Sequence, residues 1–157
     1  MGGEAGGHGA LNDMAAAALD ASLVALLGIV TVSDLRTRLV PDTALAAGLA
    51  VALPVCLLSD PGGVPGRLLA GAAAGGLLLA AALIRPAGMG LGDVKLAGVL
   101  GIYLDVGVVE AMVIAFAAGS IAGLVLIVRH GWAARSRTIP FAPFLAIGAL
   151  MAIAPQP

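Results

Sequence analysis

Gly88-Met-Gly-Leu-Gly-Asp93-Val-Lys95 interrupts a chain that is otherwise apolar enough to lie in a membrane. The stretch places three glycines, a carboxylate and an ammonium group between two apolar runs. A carboxylate is costly to hold near lipid and usually persists there because it has a function. The glycines allow irregular backbone, which within a membrane is tolerated only against protein or water. We therefore predict a membrane protein in which Asp93 lies in a recess.

The overall composition supports the membrane class. Of the 157 residues, 61% are hydrophobic and 11% are charged, whereas roughly 25% of the residues in soluble domains are charged. A chain of this length has room for one compact membrane domain. Cys56 is the single cysteine, which excludes an intramolecular disulfide and a multi-cysteine zinc site. We interpret Cys56 as a packing residue.

Six apolar segments, separated by charged or Pro/Gly-rich residues, predict an all-α bundle of six transmembrane helices. Several segments are shorter than the roughly 20 residues of a full crossing, and the fourth is the shortest. It either begins below the membrane surface, which we prefer, or shares a bend at Asp105 with the fifth. Residues 1–13 are predicted to form a flexible tail and residues 14–154 the membrane domain. The predicted spans are 14–33, 42–58, 68–84, 93–104, 106–128 and 139–154.

The distribution of basic residues predicts the orientation of the bundle. The first 13 residues contain no Lys or Arg, so they do not resemble a signal peptide. Cytoplasmic loops carry an excess of Lys and Arg. With six spans, all the basic residues except Arg67 fall on one side of the membrane. We therefore expect the N-terminus outside, with Asp34 and Asp93 at the cytoplasmic face. The seven basic residues on that face are Arg36, Arg38, Arg85, Lys95, Arg129, Arg135 and Arg137.

The two aspartates suggest aspartyl chemistry. Asp34 ends the first apolar segment, just before Leu-Arg-Thr-Arg-Leu-Val-Pro-Asp42. Two carboxyl groups hydrolyse a peptide bond when the ionised one takes a proton from water and the protonated one polarises the scissile carbonyl. Close like charges enforce this division, since both groups cannot ionise together. Taken singly, Asp34 is equally explained as an interfacial charge paired with Arg36 or Arg38, and Asp93 as a helix cap.

Three segments resemble motifs of the type IV prepilin peptidases, and they occur in the order that this family has. Asp34-Leu-Arg-Thr-Arg-Leu-Val-Pro-Asp42 resembles the first active-site segment. Gly90-Leu-Gly-Asp93-Val-Lys95 resembles the second, Gly-x-Gly-Asp-x-Lys. Pro140-Phe-Ala-Pro-Phe-Leu-Ala-Ile-Gly148 is similar to the motif of the final span. Together the three matches extend from the first predicted span to the last.

The resemblance implies an aspartyl endopeptidase of the plasma membrane that removes short basic leaders from prepilins or pseudopilins. Cleavage follows a glycine at the cytoplasmic face, immediately before the substrate's apolar helix. Asp34 and Asp93 are the implied catalytic pair, and Gly90 and Gly92 shape the substrate site by admitting substrate backbone. Lys95 orients a carboxylate or a substrate carbonyl, or else is an interfacial lysine. We expect membrane lipid as a partner and no cofactor, metal or nucleic acid.

The chain departs from the family pattern in two places. Longer members carry an N-terminal segment with paired cysteines that is associated with methylation of the new N-terminus. Here 33 residues precede Asp34 and there is no Cys-x-x-Cys, so we predict no methyltransferase activity. Ala142 stands where the family commonly has glycine, which affects the shape of the sixth span rather than the chemistry.

Other motifs allow structural interpretations. Gly71-x-x-x-Gly75 and Gly119-x-x-x-Gly123 predict close helix contacts, within the bundle or in a homodimer. Asp20, inside the first span, is interpreted as a snorkelling or helix-bonding residue.

Three functions compete with prepilin processing. One is a small transporter or channel component that uses Asp34 and Asp93 as cation or proton sites, and another is an inert scaffold. A presenilin-like protease shares Gly-x-Gly-Asp but needs more spans and a Tyr-Asp partner, whereas Ser33 precedes Asp34.

Overall fold

A computed structural model describes residues 4–84, 89–130 and 140–154. These residues form six α-helices and no strand, which confirms the all-α fold. The sequence boundaries of α2 to α5 lie within four residues of the predicted ones. In chain order the helices are α1 (Glu4–Thr37), α2 (Asp42–Ser59), α3 (Val64–Ile84), α4 (Leu91–Leu104), α5 (Gly107–His130) and α6 (Ala142–Ile153).

Four of the six helices contain segments long and apolar enough to cross a membrane. The other two are short, with 14 residues in α4 and 12 in α6. At about 1.5 Å per residue, α4 is roughly 21 Å long, less than the hydrocarbon thickness of about 30 Å. The four long apolar segments are Asn12–Thr37, Asp42–Ser59, Val64–Ile84 and Gly107–Arg129.

Helix α1 extends beyond the predicted first span. It begins at Glu4, ten residues before the predicted boundary at Met14, and residues 4–13 are helical. No proline interrupts this stretch, and its glycines lower helix stability without ending the helix. The apolar part of α1 begins at Asn12, close to the predicted start of the span.

Helix α4 lies at the centre of the bundle and packs against α2, α3, α5 and α6. Half of its 14 residues are buried. Its closest neighbour is α3, where the backbone of Gly71 lies directly against Gly98 and Gly101 and leaves no room for a side chain. Gly75 also contacts Gly98, so the close contact predicted for Gly71-x-x-x-Gly75 is confirmed.

The second glycine motif packs differently. Gly119 faces the rings of Phe141 and Phe144 on α6, with 3.4 Å from its ideal Cβ position to Phe141. Gly123 has no neighbour within 4 Å of its own ideal Cβ position. Within this chain the pair therefore does not bring two helix backbones into close contact, and its role in a homodimer stays a prediction.

Polar contacts fix the C-terminal end of α4. The Tyr103 hydroxyl donates to the Gly48 carbonyl on α2 at 2.8 Å. The Arg67 guanidinium on α3 donates to the carbonyls of Ile102 and Tyr103 at 3.3 and 2.9 Å, which satisfies acceptors that the helix end leaves free. Asp105 follows with a positive φ of 52° and turns the chain into α5. The bend at Asp105, given above as an alternative, is therefore present.

Candidate active site

Asp34 and Asp93 are the two buried charged residues of the described chain, with exposed fractions of 6% and 8%. Asp34 lies in the last turn of α1 and Asp93 in the first turn of α4. The segments that carry them meet, because Val40, in the loop that follows Asp34, packs against Gly92, the residue before Asp93. Buried carboxyl groups without a paired cation are uncommon in proteins, and two that face each other favour sharing one proton. The structure therefore brings together the two residues predicted to form the catalytic pair.

The end of α1 places Asp34 at the site. Arg38 has a left-handed backbone with φ 55°, and its N–H donates to the Asp34 carbonyl at 2.9 Å. Glycine usually holds this helix-ending position. The Ser33 hydroxyl then donates to the carbonyl of Leu39 at 2.8 Å and ties the following loop back to α1. Asp34 is thus held at a defined end of the helix.

The loop after α1 packs directly onto the first turn of α4. The Val40 side chain fills the space beside Gly92, where an ideal Cβ would lie 2.8 Å from Val40 Cβ. Such a distance is too short for real carbon atoms, so only glycine allows the loop to approach this closely. The contact joins the segment that carries Asp34 to the segment that carries Asp93.

Gly90, and not Asp93, is the N-cap of α4, so the interpretation of Asp93 as the cap is wrong. Asp93 is the third residue of the helix, and its N–H donates to the Gly90 carbonyl at 3.1 Å. Its carboxyl group turns back toward Gly90, with Oδ2 3.6 Å from the ideal Cβ position. Because the free N–H groups of a helix N-terminus favour negative charge, this position also suits a carboxylate.

Sequence reasoning missed one contact of the site. The Ala142 N–H, at the first residue of α6, donates to Asp34 Oδ2 at 3.2 Å, and the contact is buried. The resemblance had singled out residues 140–148 but assigned them no partner. The available signal was Pro143, since proline favours the first turn of a helix and so marks a helix N-terminus.

Lys95 does not contact the aspartate pair through its ammonium group. Its Nζ lies 2.8 Å from both carboxylate oxygens of Asp42, in the first turn of α2. Both side chains are more than half exposed. The ion pair lies at the rim of an apolar groove of about 470 Å³ between α2, α3 and α4. Lys95 therefore pairs with the carboxylate of Asp42, and its role toward a substrate carbonyl or a catalytic carboxylate stays a prediction.

Asp20 on α1 is exposed and stands apart from the site. Arg85, Arg135 and Arg137 lie outside the described residues. Within residues 4–84, 89–130 and 140–154, no group of three His, Cys, Asp or Glu side chains could hold a metal ion.

Comparison with known proteins identifies the family. Residues 21–128 match the model of the type IV leader peptidase family. The chain belongs to this family. The matched region contains both aspartates of the site, together with the Val40–Gly92 contact between them. The leader peptidase match is thus consistent with the resemblance seen in the motifs.

A curated relative supports the assignment. The chain is 35% identical over 131 residues to a protein of Bacillus subtilis (strain 168) named prepilin leader peptidase/N-methyltransferase. The alignment covers 82% of this chain and 52% of the relative, so this chain spans about half of the relative's length. No solved structure shows significant similarity to the chain.

Proposed function

We propose that this chain is a membrane aspartyl endopeptidase that removes the short basic leader from prepilin or pseudopilin substrates after a glycine. The observation that carries the proposal is the buried pair of Asp34 and Asp93, drawn from two helices far apart in sequence. Family membership and the name of the Bacillus subtilis relative, prepilin leader peptidase/N-methyltransferase, support a leader peptidase. Asp34 lies at the C-terminal end of α1 and Asp93 at the N-terminal end of α4. These two ends meet through Val40 and Gly92, so both aspartates lie at one end of the bundle, which disfavours a transporter path open to both faces.

In the proposed reaction, one aspartate is ionised and the other carries a proton. The ionised carboxylate takes a proton from a water molecule as the water oxygen attacks the scissile carbonyl carbon. The protonated partner stabilises the developing oxyanion by hydrogen bonding. Collapse of the tetrahedral intermediate breaks the C–N bond, and a carboxyl group of the pair gives its proton to the leaving nitrogen. The pair then shares one proton again, ready for the next turnover.

Other parts of the proposal concern the substrate and the membrane. Gly90 and Gly92 shape the path of the substrate backbone, and Lys95 binds a substrate carbonyl or carboxylate after release from Asp42. The positive-inside pattern supports an active site facing the cytoplasm, an external N-terminus and location in the plasma membrane. We propose the peptidase activity alone, because the single cysteine cannot form the cysteine pairs associated with methylation.

The test is cleavage of a synthetic prepilin peptide by the purified protein in detergent. Asp34→Asn and Asp93→Asn should each abolish cleavage while leaving the protein folded, because asparagine is nearly isosteric but cannot exchange the proton. Asp20→Asn, on the exposed part of α1, is the matched control and should retain activity. Addition of EDTA should have no effect. Appreciable cleavage by either site variant would refute the aspartyl mechanism.

A further inference from the structure

The first turn of α6 has one backbone N–H group that donates outside the helix. The N–H groups of Phe144 and Leu145 both donate to the Phe141 carbonyl, at 3.0 and 3.2 Å. Pro143 has no N–H. Ala142 therefore supplies the one donor of this turn that the helix itself does not use, and this donor goes to Asp34 Oδ2 at 3.2 Å.

The position of this turn is fixed by packing against α5. The Phe141 ring lies 5.4 Å from the ring of Phe116 and 6.4 Å from that of Phe144, measured between centroids. Ala142 is fully buried. Further along α6, Gly148 lies directly against the backbone of Ala111, with no room for a side chain. The Ala142 N–H is thus presented to Asp34 by a helix that cannot easily shift.

We infer that the first turn of α6 is a positioning element of the active site, in which the Ala142 N–H holds the Asp34 carboxyl group in its working orientation. This inference rests on the proposed function, because it takes Asp34 as a catalytic residue. A backbone donor at a helix N-terminus favours the charged form of its acceptor. It also fixes the side-chain rotation of Asp34, and small misplacements of catalytic groups are costly to the rate.

The kinetic test removes the Ala142 N–H without changing a side chain. Lactic acid incorporated at Ala142 by cell-free translation converts the amide to an ester and keeps the side chain unchanged. We expect kcat for a synthetic prepilin peptide to fall about tenfold to a hundredfold, the range for losing a hydrogen bond to a charged group, with KM unchanged. The matched control is an ester at Ile147, which removes an N–H inside the same helix, away from Asp34. Equal kcat in the two ester proteins would overturn the inference.

A second measurement does not depend on activity or on the ester. In protein labelled with ¹⁵N-alanine, the Ala142 amide signal is identified by its absence from Ala142→Gly. Asp34→Ala should move this amide proton upfield, whereas Asp42→Ala should not. An unmoved signal in folded Asp34→Ala would overturn the inference even if the wild-type protein cleaves prepilin. A shifted signal without any wild-type cleavage would instead refute the proposed function and leave the contact established.

Discussion

The Val40 side chain occupies the space that a side chain on Gly92 would need, with 2.8 Å from Val40 Cβ to the ideal Cβ position of Gly92. Val40 belongs to the loop that follows Asp34, and Gly92 directly precedes Asp93. This contact therefore joins the two segments that carry the aspartates. Packing against Val40 is therefore one reason for glycine at position 92, and the admission of substrate backbone, proposed from the sequence, is another.

The first prediction separates these two reasons. Gly92→Ala should lower cleavage strongly, because the new methyl group must push Val40 and the α1–α2 loop away from α4. Adding Val40→Gly removes the opposing side chain and should restore much of the activity. The measurement is kcat/KM for a synthetic prepilin peptide, together with thermal stability in detergent.

Gly28→Ala provides the control for this test, because the ideal Cβ of Gly28 on α1 has no neighbour within 4 Å. It should cleave like the wild type. If the double variant stays as inactive as Gly92→Ala, substrate approach and not packing explains the glycine. Wild-type activity in Gly92→Ala alone would contradict both explanations.

The six helices could be predicted because charges, prolines and glycines separate the apolar runs. The boundaries of α2 agree within one residue, since Pro41-Asp42 and Asp60-Pro61 mark its two ends. The early start of α1 was missed because Glu4, Asp13 and the glycines between them resemble such an interruption, although the segment contains no proline and the helix continues through it.

The aspartate pair could be predicted from the cost of holding carboxylates near lipid. The contacts that support the pair could not be predicted from the sequence. The Ala142–Asp34 hydrogen bond joins residues 108 positions apart, and such a contact leaves no periodic pattern in the sequence. The pairing of Lys95 with Asp42 was missed for the same reason.

The second prediction concerns the contact between α3 and α4. Gly71→Ala should destabilise the protein by about 1–3 kcal/mol, the usual range for overpacking, because its methyl group would meet the Gly98 carbonyl. The proper control is Gly76→Ala, which has open space around it and should be neutral or stabilising. Equal melting temperatures in detergent for the two variants would contradict this packing.

The third prediction concerns Lys95. The Lys95–Asp42 ion pair is largely exposed, so removing either partner should cost at most about 1 kcal/mol of stability. Lys95→Met should nevertheless raise KM for a prepilin peptide, because the proposed substrate contact is lost. Asp42→Asn, which leaves Lys95 free, should not raise KM. If both variants raise KM equally, the ion pair itself and not the lysine supports substrate binding.

The fourth prediction tests the orientation of the bundle. Leu39 is 68% exposed and lies in the loop next to Asp34, whereas Gly62 lies in the α2–α3 turn and has room for a side chain. In a Cys56→Ala background, an impermeant thiol reagent should label the Gly62→Cys variant in intact cells. The Leu39→Cys variant should react only after the cells are permeabilised, because the positive-inside pattern places this loop in the cytoplasm. Because Cys56 is the single cysteine, its replacement leaves each introduced cysteine as the sole thiol of the chain. The opposite labelling pattern would place the aspartate pair at the external face and contradict the proposed processing of prepilins from the cytoplasm.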